Sequence, residues 1–182
     1  ELNTAEFSVS MWVKATATSN VYRSALTSRA ANSHQGYMIY NIRGIWEFWI
    51  GSGDHYRKAR STPEGGSVLV NAWQHLAVSY GAGIMTLYVD GVPAPALSIE
   101  NFQPNLDKDC GLQIGAGSCR GTNYFFDGSV KDVSFFDVAV SRSDVLSFIH
   151  QSSVIINCKR RCLDVRVNSD DNVFPPTAVR GI

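Results

Sequence analysis

Apolar and polar residues alternate with a period of two through most of the chain. In residues 7–14, Phe7, Val9, Met11 and Val13 share one face, and Ser8, Ser10, Trp12 and Lys14 share the other. That is strand periodicity, not helix periodicity. Residues 37–42 (Tyr-Met-Ile-Tyr-Asn-Ile) and 45–50 (Ile-Trp-Glu-Phe-Trp-Ile) read as two further strands joined at Arg43-Gly44, a hairpin signal. Strands are also expected at 73–80, 85–89, 112–115 and 128–136, with tight turns at Gly81-Ala82-Gly83 and Asp90-Gly91. In the strand after Trp73, Leu76, Val78 and Tyr80 face the core, His75 and Ala77 face away, and Trp73 stands at the strand entry.

Residues 51–67 are polar and glycine-rich and read as a long loop with a short strand around 56–59. Residues 92–109, which hold Pro93, Pro95 and Pro104, read as loop. One helix is expected after Ser141, which can cap it with Asp144 three residues on. Short strands separated by turns specify an all-β fold, a two-sheet antiparallel jelly-roll sandwich of about 12–14 strands with one short helix.

Composition narrows the function. The 182 residues suit one domain, taken as 1–150, with a C-terminal extension, 151–182. Sixteen basic and sixteen acidic residues cancel, which argues against a nucleic-acid or membrane-surface binder. No apolar run is long enough to span a membrane. The chain opens at Glu1, as a mature fragment would, and contains no Asn-x-Ser/Thr acceptor, which disfavours an N-glycosylated ectodomain. Cys110, Cys119, Cys158 and Cys162 lack metal-type spacing and favour disulfides, with two local bonds, 110–119 and 158–162, preferred. In the tail, Leu163-Asp-Val-Arg-Val167 alternates and is expected either to pair beside the Trp12 strand or to begin a following domain.

Six stretches in order resemble the laminin G-like, concanavalin A-like jelly-roll family: 7–14, 71–80, 87–91, 112–115, 126–136 and 139–146. The resemblance implies a non-catalytic, extracellular recognition module, secreted or at the cell surface, that binds glycan or a protein surface. The alternative is a structural or adhesion module of a larger multidomain chain with no small ligand. It also suggests calcium on the sandwich rim, for which Asp54, Asp107 and Asp109 are the candidate ligands; Asp127 before Gly128 is equally explained by turn chemistry.

Retaining glycosidases need two carboxylates about 5–5.5 Å apart, and no strand carries such a pair. Glu47 is the sole carboxylate in the aromatic hairpin and reads as a polar rim residue. The sharpest binding signal is Asp54-His-Tyr-Arg-Lys-Ala-Arg60. Tyr56, Arg57, Lys58 and Arg60 there could stack on a sugar and grip a sulfate or carboxylate, which points to an anionic glycan. A second basic cluster, Lys159-Arg160-Arg161, is open to a ligand-binding or a processing role.

Overall fold

The computed structural model describes residues 6–29, 34–99, 102–105, 110–118 and 124–150, and the backbone of 164–165. The elements are β1 (Phe7–Ala15), β2 (Arg23–Ser28), β3 (Tyr37–Ile42), β4 (Ile45–Gly51), β5 (Tyr56–Arg60), α1 (Pro63–Gly66), β6 (Gln74–Gly81), β7 (Ile84–Val89), β8 (Val92–Pro93), β9 (Leu97–Ser98), β10 (Gln113–Ile114), β11 (Gly128–Phe136), α2 (Arg142–His150) and β12 (Asp164–Val165). They form two antiparallel sheets. One has seven strands, ordered β12-β11-β1-β6-β7-β8 with β9 also on β7; the other has five, ordered β10-β2-β3-β4-β5.

The core lies between the sheets and follows from the alternation. Phe7, Val9, Met11 and Val13 of β1 and Leu76, Val78 and Tyr80 of β6 meet Tyr37, Ile39, Trp46, Phe48 and Ile50 of the smaller sheet. The β3–β4 hairpin closes through Arg43 and Gly44, both at positive φ (51° and 77°), the geometry that matches strand twist in a two-residue turn. Asp90-Gly91 turns the same way. At α2, the Asp144 carboxylate accepts from the Ser141 amide at 2.8 Å, and the Asp144 amide donates to Ser141 Oγ at 3.3 Å, so the expected cap forms. The helix lays Val145 on Ala77 and Tyr88 of the larger sheet, with Phe148 stacked on Phe136.

Three expectations change. The segment 51–67 holds the short strand expected around 56–59, as β5, but it also holds a one-turn helix, α1, that was not expected. Residues 92–109 carry two short strands, β8 and β9, on the edge of β7. No vacancy exists beside the Trp12 strand, because β1 is paired on both sides, by β11 and β6. The tail does contribute a strand, but one place further out: Val165 pairs with Val133 and Asp164 with Ser134 of β11. Cys110 is buried and is not a free thiol. The other three cysteines, the basic cluster 159–161 and the rest of the tail lie outside the described residues.

On the outer side of the larger sheet, His75 is 1% exposed and its Nε2 lies 2.8 Å from Ser10 Oγ. Burial alone pulls its pKa down from 6.5 to about 4. The folded state therefore holds this ring neutral where the unfolded chain protonates it. Its contribution to stability is full above pH 6.5 and is lost as pH falls toward 4. The loss is on the order of 3 kcal/mol. His75→Gln, which keeps a polar partner for Ser10, is expected to flatten the change in urea midpoint between pH 7 and pH 4.5; an unchanged pH profile would assign the acid sensitivity elsewhere.

Candidate functional site

The two-face rule that sends Trp46, Phe48 and Ile50 inward sends their neighbours outward, and the outward set is not the expected polar one. Cross-strand register lines them up in rows. One row runs Ser24, Tyr40, Glu47, Arg60; the next runs Thr27, Met38, Trp49, Lys58; Tyr56 follows opposite Gly51. Tyr22, just before β2, and Tyr124 complete the face.

The rings form a continuous cluster. Tyr22 contacts Tyr40, Trp49 and Tyr124 at centroid distances of 5.0, 5.6 and 6.2 Å. Trp49 also meets Tyr40 at 6.0 Å and Tyr56 at 5.4 Å, edge to face. Trp49 is half-buried and Tyr124 is 39% exposed, so the cluster reaches solvent. Burial raises the Tyr40 phenol to about 12. Burial, then the charge of Glu47, raises Tyr22 as well. Both phenols stay protonated donors at neutral pH.

Charge is placed on this apolar platform with little freedom. The Lys58 ammonium sits 4.5 Å from the Trp49 ring centroid. Arg29, immediately after β2, donates from Nη1 to the Tyr56 hydroxyl at 2.8 Å and from Nε to the Gly117 carbonyl at 3.4 Å. Glu47 has a side chain only 4% exposed, and both its oxygens are engaged. Oε1 accepts from Arg60 Nε at 2.7 Å and Oε2 from Trp49 Nε1 at 2.7 Å. Arg60 thus pairs with the one carboxylate, while Lys58 and Arg29 are held against the rings of the same face. At the hairpin end of the same sheet, Thr18, Ser19, Asn20, Arg43 and Gly44 line a polar cleft of about 350 Å³.

Of the residues singled out in the sequence, Tyr56, Lys58 and Arg60 lie together on this face. They sit on an edge strand rather than on a loop. Arg57 does not join them. It pairs with Ile50, so alternation turns it to the other side, where it is exposed. Asp54 is exposed in the turn before β5, and Asp107 and Asp109 lie outside the described residues. Among the described residues no three metal-ligating side chains converge. Asp54 alone cannot supply the 6–8 oxygens calcium takes. Tyr22, Arg29, Tyr40, Trp49 and Tyr124 belong to the site without having been singled out. The signal for two of them was available: Tyr40 and Trp49 occupy the outward phase of strands whose inward phase is already filled.

Arg60 is itself half exposed, yet its removal is expected to be costly. Arg60→Ala leaves the Glu47 carboxylate buried with one donor, which should destabilise the fold by about 2–3 kcal/mol in urea unfolding. Adding Glu47→Gln should recover part of that loss. A neutral Arg60→Ala would mean that the pair does not hold the sheet.

Among solved structures, three similar ones share this architecture. Domain 4 of an extracellular arabinanase from Geobacillus stearothermophilus, in complex with arabinotriose, is 19% identical with a TM-score of 0.63, covering 80% of this chain and 66% of that one. The Ruminococcus gnavus IT-sialidase CBM40 bound to alpha2,3 sialyllactose is 15% identical with a TM-score of 0.66, covering 81% and 83%. The botulinum neurotoxin serotype D binding domain is 18% identical with a TM-score of 0.64. The match covers 81% of this chain and about a third (36%) of that one. At these identities the likeness establishes the shared fold. No curated protein matches the chain by sequence. The model of the concanavalin A-like lectin/glucanases superfamily, Laminin_G_3, matches residues 1–146, and the chain belongs to that family.

Proposed function

We propose that this module is a non-catalytic, extracellular glycan-binding domain whose saccharide lies on the outer face of the five-stranded sheet, with an acidic group met by Lys58, Arg29 and Arg60. One observation carries the reading. The outward side of β3, β4 and β5, which solvent would fill with polar residues, carries linked rings at Tyr22, Tyr40, Trp49, Tyr56 and Tyr124, with cations held against them. Rings offer flat apolar contact to the C–H face of a sugar, and the phenols offer donors beside it. The excess of cations favours a carboxylate or sulfate on that sugar.

Glu47 supports binding rather than hydrolysis, since both its oxygens already accept hydrogen bonds. The comparisons support a saccharide, because solved relatives carry arabinotriose and sialyllactose. They also support an extracellular setting, because one relative is a domain of an extracellular enzyme. No helix among the described residues is long and apolar enough to cross a membrane.

Calorimetric titration with alpha2,3 sialyllactose, lactose and arabinotriose tests the proposal. The acidic sugar should bind most tightly, with affinity falling as salt rises through 0.15 M, where the screening length is about 8 Å. Trp49→Ala should weaken it by roughly tenfold or more, the loss of about 1.4 kcal/mol or more expected of a central aromatic anchor. Lys58→Ala should cost several-fold and flatten the salt dependence. Absence of binding to all three sugars would reject the glycan reading and favour a structural or adhesion module; binding indifferent to Trp49→Ala would place the sugar away from this face.

A further inference from the structure

A second basic-aromatic cluster lies on the opposite side of the sandwich, on the outer face of the seven-stranded sheet, and the glycan reading does not use it. Trp12 and Lys14 project from β1 on the side away from Met11 and Val13. Trp73 stands at the entry to β6, and Lys131 comes from β11 opposite Trp12. The Lys131 ammonium is 4.7 Å from the Trp73 ring centroid and 5.9 Å from that of Trp12. The Lys14 ammonium is 5.6 Å from Trp73. All four side chains are half-buried, and the His75 ring holds Trp12 from behind in an edge contact at 5.3 Å.

The cluster depends on a local break in the strand. Pairing shifts between Ser10 and Trp12: Ser10 faces Ser134, but Trp12 faces Lys131. The extra residue, Asp132, sits at φ 52°. Simple alternation back from Phe135 and Val133 would point residue 131 into the core. The bulge reverses the phase, so Val130 packs inward and Lys131 emerges beside Trp12. Two like charges are thereby gathered on one indole. Among the described residues neither has a carboxylate partner, since the ion pairs there are Arg23–Asp127 and Arg60–Glu47. An anion between the two ammoniums would relieve their repulsion, and the Trp12 ring would give the attached body an apolar surface.

We propose that Trp12, Lys14, Trp73 and Lys131 form a second saccharide site, selective for a single carboxylate- or sulfate-bearing sugar unit. Together with the site proposed on the Trp49 face, it would make the module bivalent, able to bridge two acidic glycan chains across its thickness. Two ammoniums suit one anionic group. They are too few for a nucleic-acid backbone or a membrane surface, and the neutral chain adds no long-range attraction to either. The site rests on its own residues and does not require the Trp49 face to bind.

A heparin-derived hexasaccharide, which carries both carboxylate and sulfate groups, is the probe, read by amide chemical shifts of the full chain. Shifts are expected at Trp12, Lys14, Trp73 and Lys131, with an apparent affinity weakened about tenfold by the Lys14→Gln/Lys131→Gln pair. Shifts at Trp49, Tyr56 and Lys58 should persist in that variant. Lys131→Gln alone gives the same reading if the pair folds poorly. Shifts confined to the Trp49 face, or shifts around Trp73 that the lysine substitutions leave unchanged, overturn the second site. Shifts confined to the Trp12–Trp73 face uphold it and count against the glycan site proposed on the five-stranded sheet.

Discussion

The buried carboxylate of Glu47 is the contact on which the candidate site depends. It lies on β4, between β3 and the edge strand β5, facing outward, yet it is nearly inaccessible to water. A carboxylate in that position is tolerable only with strong donors, and it has two, from Arg60 and from the Trp49 indole. These bonds fix the edge of Trp49, and Trp49 in turn orders Tyr22, Tyr40, Tyr56 and Lys58 around it. They also tie the edge strand β5 to its neighbour in one register. A one-residue slip would bring Arg60 to the core side and Ala59 outward. The same contact therefore sets both the shape of the platform and which cations reach it.

Backbone irregularities do the remaining placement. In β2 the pairing shifts between Ser24 and Leu26, so Ala25 and Leu26 are both fully buried, and the strand's ends bring Tyr22 and Arg29 to the platform. In β11 the bulge at Asp132 turns Lys131 toward the two tryptophans. Each face of the sandwich thus owes one of its cations, Arg29 on one and Lys131 on the other, to a point where the strict period of two is broken, a common position for bulges next to functional sites.

That dependence explains what the sequence could and could not disclose. Strands with uninterrupted alternation, β1, β3, β4 and β6, were legible with nearly correct limits, as were the Arg43-Gly44 turn and the Ser141–Asp144 cap, because each follows from chemistry within a few residues. Strand β2 was not, since its bulge places two apolar residues side by side in an otherwise polar stretch. A short strand was read around 56–59, but it was set within a long loop because its outward charges outnumber its one buried residue, Ala59, as an edge strand allows. Tyr56, Lys58 and Arg60 were identified as a cluster, but Arg57 was grouped with them although alternation separates it. Arg29 and Tyr124 reach the platform through contacts distant in sequence, for which no local pattern exists.

The central claim is that the saccharide rests on the Trp49 platform. The most direct measurement is the indole N–H resonance of Trp49 during titration with alpha2,3 sialyllactose, with Trp46, which is fully buried in the core, as the internal reference. The account predicts that the Trp49 signal, whose proton is donated to Glu47, moves progressively to saturation while that of Trp46 stays in place. A saturating sugar that leaves Trp49 unmoved would contradict it.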